Sequence, residues 1–199
     1  MRDFIVKVCG VTTYDDAQAS LDSGANALGF NFYPKSPRFL TPDAAASIIA
    51  KLRGDYLRVG VFVHPLADTL AQAAPFLDVT QIHGSGYGSL PIWRAITAGN
   101  VADEEDNVQA WLLDTATPVF GGSGQTFDWS LAANFPYRAI VAGGLDASNV
   151  ADAIRLVHPW GVDSCSRLES SPGKKDHNRV AAFIEKALDS FHATQAVNL

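Results

Sequence analysis

Several polar stretches of this 199-residue chain carry residue types able to do chemistry, and each closes an apolar run. The first is Lys7-Val8-Cys9-Gly10-Val11-Thr12, which sets one of only two cysteines beside a glycine that lets the backbone turn sharply. A thiol in that place is either a small buried hydrophobe or a reactive group at the mouth of a site. The second, Tyr33-Pro34-Lys35-Ser36-Pro37-Arg38, puts two cations on a proline-stiffened loop. Its Arg38 guanidinium is a planar fork suited to a two-point grip on a carboxylate. The third, Gly121-Gly122-Ser123-Gly124-Gln125-Thr126-Phe127-Asp128-Trp129, is a ligand-hugging glycine loop with one acid. Asp128 either serves a ligand or caps a short helix at 129–133, and a loop folded over a ligand allows both. Finally, Ala142-Gly143-Gly144-Leu145 and Ser164-Cys165-Ser166-Arg167 precede helical patterns. Backbone N–H groups at such places bind phosphate well.

The elements that must position these groups alternate regularly. Apolar runs at 5–8, 27–32, 58–63, 79–82, 93–96, 109–113, 139–142 and 161–164 read as strands. Helical patterns lie between most of them, one over 13–23 that Gly24 stops, another opened by Thr41-Pro42-Asp43 as cap, first-turn proline and acid. A further helix is expected around 66–74, and the last one from Gly173-Lys174-Lys175-Asp176 onward. Eight strands alternating with helices point to a parallel sheet, and the count of eight favours a closed (β/α)₈ TIM barrel over an open doubly wound sheet. In such barrels active sites lie at the C-terminal strand ends, with phosphate cradled after strands seven and eight. The polar stretches above fall at those ends. Gln81 and His83, two apart on strand four, share a face and receive no catalytic role.

One connection breaks the alternation. Only residues 85–92 separate strands four and five, too few for a crossover with its helix. The fourth helix is expected to be missing or reduced, and the fifth, over 101–108, short and acidic. That leaves a thin place in the outer ring, with Tyr87 or Trp93 partly exposed and the 191–199 tail or a second subunit as cover. The barrel domain is read as 1–190.

Composition sets outer limits. A net charge of −6 argues against non-specific nucleic-acid binding, which needs a basic surface. A local cationic pocket is still compatible with an anionic substrate. No apolar run approaches the roughly 18 residues of a membrane span, and no signal-peptide core follows Met1. Two cysteines make no disulfide framework, so a reducing, cytoplasmic setting is expected.

The motifs together resemble phosphoribosylanthranilate isomerases, the tryptophan-pathway family of (β/α)₈ barrels. The resemblance runs from about Lys7 to Ala187 and rests on Lys7-Val8-Cys9-Gly10, Phe32-Tyr33-Pro34-Lys35-Ser36-Pro37-Arg38, Val59-Gly60-Val61-Phe62-Val63, Gln81-Ile82-His83-Gly84, Leu112-Leu113-Asp114, Gly121-Gly122-Ser123-Gly124 with Phe127-Asp128-Trp129, Ala142-Gly143-Gly144-Leu145, and Glu169 with Pro172-Gly173-Lys174-Lys175-Asp176. It implies a cofactor-free Amadori rearrangement of N-(5-phosphoribosyl)anthranilate; the sequence leaves monomer and homodimer both open. Carried over by position, Cys9 is the general base, Asp128 the general acid and Arg38 the partner of the anthranilate carboxylate. Gly143, Gly144, Ser164, Cys165 and Ser166 would hold the phosphate.

The chain departs from the family at Asp163-Ser164-Cys165-Ser166-Arg167-Leu168-Glu169, where the family commonly reads Asp-Val-Ser-Ser-Gly-Val-Glu. Arg167 replaces the glycine and either adds a cation to the phosphate or swings to solvent. Cys165 stands at the strand end beside Cys9 in a closed barrel, so a disulfide is conceivable if the two approach closely enough. Two other readings remain: an isomerase of the related histidine-pathway sugar phosphate, and a non-catalytic sugar-phosphate-binding barrel. The former is usually built from two similar halves, which this sequence does not show. A barrel freed from catalysis need not keep both Cys9 and Asp128.

Overall fold

The computed structural model describes residues 2–100, 105–115 and 126–197. Eight parallel strands close into a barrel in sequence order: β1 (Ile5–Cys9), β2 (Ala27–Asn31), β3 (Leu57–Val63), β4 (Val79–His83), β5 (Ile92–Thr97), β6 (Val108–Asp114), β7 (Ala139–Val141) and β8 (Gly161–Ser164). The seam is shut by β1 against β8, with Val8 opposite Ser164. Two short antiparallel strands, β9 (Glu169–Ser171) and β10 (Lys174–Lys175), form a hairpin after β8.

Side-chain alternation sorts each strand into two faces. Ile5, Ala27, Val59, Val79, Trp93, Ala110, Leu112 and Ile140 fill the lumen, while Val6, Val8, Leu28, Phe30, Phe62, Trp111 and Val141 meet the outer helices. Those helices are α1 (Tyr14–Asp22), α2 (Pro42–Ile49), α3 (Ala67–Ala73), α4 (Val150–Val157) and α5 (His177–Val197). Local chemistry starts them. Thr13 Oγ1 accepts from the Asp16 N–H at 3.1 Å and Thr41 Oγ1 from Ala44 at 3.3 Å, relieving orphan donors of the first turns. Asp176 does the same for α5, accepting from Asn178 and Arg179.

The break after β4 is real: residues 84–91 contain no helix. The short fifth helix does not form over 105–108, because Val108 already begins β6 and Asn107 turns into the left-handed region at φ 65°; residues 101–104 lie outside the described ones. After β6, only a single 3₁₀ turn at Trp129–Leu131 is present among the described residues. Tyr87 is 70% exposed, as a thin ring predicts. Trp93 is the opposite: it is fully buried in the lumen, edge-to-face with Trp160 at 5.7 Å. The phase of β5 places it inward, opposite the small Ala110 of β6.

Nor, among the described residues, does the chain's end cover the gap. Residues 191–197 continue α5, and Phe191 stacks on Phe4 just ahead of β1 with ring centroids 4.6 Å apart. The Lys174-Lys175 segment expected to open the last helix is instead strand β10, and the helix starts at His177. Among the described residues no helix is long and apolar enough to cross a membrane.

Candidate active site

The lumen-facing residues at the C-terminal strand ends line a cleft that opens to solvent at the barrel mouth. Cys9, Arg38, Asp114, Gly143, Gly144, Asp163, Ser164, Cys165, Ser166 and Arg167 all line it. Seven of the eight residues expected from sequence are therefore brought together. Asp128 is not. It is exposed, and its carboxylate accepts from the Ser130 N–H at 3.0 Å as the cap of the 3₁₀ turn. The Ser130 hydroxyl and, next, its N–H hold the Asp128 carboxyl below the usual range, the reverse of what a proton donor needs. The glycine loop before it, 121–125, lies outside the described residues.

A different acid occupies the cleft. Ala110, Leu112 and Asp114 alternate inward along β6, so Asp114 ends the strand facing the lumen. Burial raises its pKa, against the opposing pull of the Thr115 N–H at 2.7 Å and the more distant Lys7 ammonium. Room for it comes from Gly143, at φ +80°, where a Cβ would stand 2.8 Å from Asp114 Oδ1. Asp114 carried no assigned role in the sequence, where the glycine loop points to Asp128; the period-two pattern Ala110, Leu112, Asp114 is the signal that places Asp114 on the lumen face.

Cys9 ends β1 on the lumen face. Two residues earlier, Lys7 is fully buried and its Nζ donates to Asp163 Oδ1 at 2.9 Å. Two charges taken out of water hold together only when paired, and Asp163 raises the Lys7 pKa despite burial. Asp163 itself is held up, to about 7, mainly by burial. The Cys9 thiol hydrogen-bonds Cys165, and that contact, with burial, keeps its proton on, while Lys7 draws it off. Gly29, in register with Cys9, leaves the space these side chains use: a Cβ there would lie 2.8 Å from Cys9 Sγ and 3.0 Å from Lys7 Nζ.

Behind the thiols stands a second charged cluster that the sequence reading did not assemble. Arg38 donates from Nε to Glu169 Oε1 at 2.8 Å and from Nη2 to Oε2 at 2.6 Å, and Lys175 Nζ donates to Oε1 at 3.0 Å. The guanidinium fork is thus engaged by Glu169 along one edge, while Nη1 has no partner among the described residues. Gly10, at φ +69°, lets Arg38 and Cys165 approach: a Cβ would come within 2.6 Å of Arg38 Cδ and 2.9 Å of Cys165 Sγ. At the other end, Ser164 Oγ donates to Leu145 O at 2.5 Å, tying the end of β8 to the loop after β7, and Asn149 Nδ2 donates to Gly144 O at 3.0 Å within that loop. Arg167 resolves its two expected fates in a third way. It lines the cleft while pairing with Asp146 of the neighbouring loop, Nε to Oδ2 at 2.8 Å. Gln81 and His83 also line the cleft.

A closed parallel barrel that gathers a thiol, a buried carboxyl group and several cations at its C-terminal strand ends is built for acid–base chemistry on a small anionic substrate. Residues 6–186 match the family model of N-(5'-phosphoribosyl)anthranilate isomerase, and the chain belongs to that family. It is 50% identical to the N-(5'-phosphoribosyl)anthranilate isomerase of Solibacter usitatus over 96% of this chain and 98% of that protein. The crystal structure of the Thermotoga maritima phosphoribosylanthranilate isomerase superposes with a TM-score of 0.81 at 36% identity, covering 94% of this chain and 99% of the other. A further crystal structure of such an isomerase, in complex with reduced 1-(o-carboxyphenylamino)-1-deoxyribulose 5-phosphate, superposes at 0.75 with 34% identity and the same coverage.

Proposed function

We propose that this chain catalyses the Amadori rearrangement of N-(5-phosphoribosyl)anthranilate to 1-(2-carboxyphenylamino)-1-deoxyribulose 5-phosphate in tryptophan biosynthesis, with Cys9 as base and Asp114 as acid. The observation that carries the assignment of roles is the placement of these two groups, at the ends of β1 and β6, in one cleft. They approach a bound sugar from two sides.

The reaction begins with Asp114 in its protonated form, which burial favours. It donates to the furanose ring oxygen; the C1–O bond breaks as the anthranilate nitrogen lone pair forms the C1=N iminium. The iminium acidifies the C2 hydrogen, and Cys9 removes it as the thiolate formed when its own proton passes to the Cys165 sulfur it hydrogen-bonds. The resulting enolamine becomes the 2-ketone when the C2 hydroxyl gives up its proton and C1 takes one. Lys7, fixed by Asp163, favours the Cys9 thiolate before it takes the C2 proton. Asp163 is the poorer acid, because its donation would dismantle a buried ion pair.

The same geometry divides the substrate's charges between two ends. Gly143, Gly144, Ser164, Cys165 and Ser166 would cradle the phosphate, with Arg167 adding a cation beside Asp146. The Nη edge of Arg38 that Glu169 leaves open would receive the anthranilate carboxylate, and Glu169 and Lys175 hold that edge in place. We place the enzyme in a reducing cytoplasm, where both free thiols persist, as a monomer or homodimer. The purified chain, reduced and mixed with N-(5-phosphoribosyl)anthranilate, should consume the substrate's fluorescence catalytically. Stoichiometric binding without turnover would favour the sugar-phosphate-binding reading instead.

A further inference from the structure

We propose that Cys9 and Cys165 form an oxidisable dithiol that a hydroperoxide closes to a disulfide across the barrel seam and a reducing dithiol reopens. The two residues follow the register pair Val8 and Ser164 on adjacent parallel strands. Neighbouring strands lie about 4.8 Å apart. Cys165 is the first residue beyond β8, and its sulfur lies 2.9 Å from where a Cβ on Gly10, the neighbour of Cys9, would stand, which puts the two within reach of the roughly 4.4–6.8 Å Cα separation that a disulfide spans. Both side chains turn into the same cleft, and their thiols hydrogen-bond each other. Cleft access matters, because a peroxide must reach one sulfur; Cys165 is the more exposed of the two.

The surroundings divide the labour between the sulfurs. Lys175 Nζ lies 3.8 Å from Cys165 Sγ. The donated Cys9 S–H lowers the Cys165 pKa most, followed by Lys175 and Arg38, to about 7. Cys165 is therefore the thiolate that meets the oxidant, and Cys9 is a neutral thiol already aimed at it. The Cys165 thiolate attacks a peroxide oxygen, the O–O bond breaks, and with one proton taken up water leaves; sulfur is oxidised by two electrons to a sulfenic acid. Cys9 sulfur then attacks the Cys165 sulfur, the S–O bond breaks, and the departing hydroxide leaves as water with the Cys9 proton. Two thiols and one peroxide become one disulfide and two waters. The accompanying loss of turnover rests on Cys9 being the base; the bond itself does not.

The test treats the full reduced chain with hydrogen peroxide, then alkylates it under denaturing conditions and weighs it. The expected species is lighter by about 2 Da, takes no alkylating reagent, and yields a cleavage fragment joining the Cys9 and Cys165 peptides. Dithiothreitol should restore both thiols. The same treatment of Cys165→Ser should give no lighter species, only free or singly oxygenated Cys9. Two alkylatable thiols in the treated parent, or oxygen adducts on separate cysteines without a joined fragment, would overturn the proposal. Activity followed in parallel keeps the two assignments apart. A joined fragment with turnover intact establishes the disulfide and removes Cys9 from the role of base. Inactivation without a joined fragment leaves the base standing and sinks the disulfide.

Discussion

The barrel has two unlike arcs. Strands β7, β8, β1, β2 and β3 are each followed by a helix, except that β8 first inserts the β9–β10 hairpin before α5. Strands β4 and β5 have no following helix among the described residues, and β6 has one 3₁₀ turn. The helix-backed arc carries the thiols, the Lys7–Asp163 pair and the Arg38–Glu169–Lys175 cluster. The thin arc supplies to the cleft Gln81, His83, Leu112 and Asp114. Dense buried charge is thus concentrated where the backbone is braced from outside. The bare arc substitutes a side chain for its absent helix: Arg94, 5% exposed, donates to Gly84 O and Gly86 O at 3.0 Å each and to Glu105 at 2.8 Å, under the Tyr87 ring.

The sharpest way to break the comparison is to remove one proton carrier from each arc. Cys9→Ala and Asp114→Asn should each lower kcat by about 10²–10⁴-fold, the usual worth of a positioned proton transfer. The fold should persist, since neither change leaves a buried charge without its pair. Asp128→Asn should cost no more than about threefold, because asparagine caps nearly as well as aspartate. Steady-state rates on all three variants decide it. If Asp128→Asn is the crippled one, the acid comes from the loop after β6, and Asp114 is a bystander.

How far the sequence reached follows the same division. All eight strands were legible, because each is a short apolar run between turn residues, and most bounds shifted by only a residue or two. The missing fourth helix was legible from loop length alone. The cleft-lining positions of the braced arc, Cys9, Arg38 and the Gly143-Gly144 and Ser164–Ser166 ends, stand out in the sequence by type and position. That Asp114 also lines the cleft does not, since a carboxylate closing an apolar strand is quieter than one in a glycine loop. The Arg38–Glu169–Lys175 cluster was beyond reach. Its members are 131 and 6 residues apart, and only barrel closure with the β9–β10 hairpin brings them together. Trp93 failed for a related reason: whether a strand residue faces lumen or solvent depends on register, and a one-residue change of phase reverses it.

Removing the thin arc's internal brace gives the next largest effect. Arg94→Ala should destabilise the chain by about 2–4 kcal/mol, since it leaves two loop carbonyls and Glu105 without their charged donor. For a chain of this size that is a fall of roughly 5–15 °C in the thermal midpoint. Glu105→Gln should lose much less, because it keeps an acceptor and lies nearer solvent. Thermal scans comparing the two would show whether the guanidinium brace or the ion pair holds the 84–91 loop. Equal, small losses would mean that some other contact carries this arc.

The smallest effect concerns the thin arc's own titratable group in the cleft. Gln81 Nε2 lies 3.0 Å from His83 Nε2. Burial, aided by the Lys7 charge, pushes the His83 pKa down to about 4 from an ordinary 6.5. Between those values the unfolded chain binds a proton that the folded chain refuses, so stability falls as pH drops through this window and is level above it. The full shift corresponds to about 3 kcal/mol, and the ring's partial exposure at the cleft wall reduces this to about 2 kcal/mol. Urea unfolding of the parent and of His83→Gln at pH 7 and pH 4.5 isolates the contribution, because the paired carboxylates lose stability in both proteins alike. The variant should lose less stability on acidification by about that amount. Parallel losses would place the acid sensitivity in the braced arc, where Glu169 is held ionised by Arg38 and Lys175, and would make His83 a spectator of the cleft it lines.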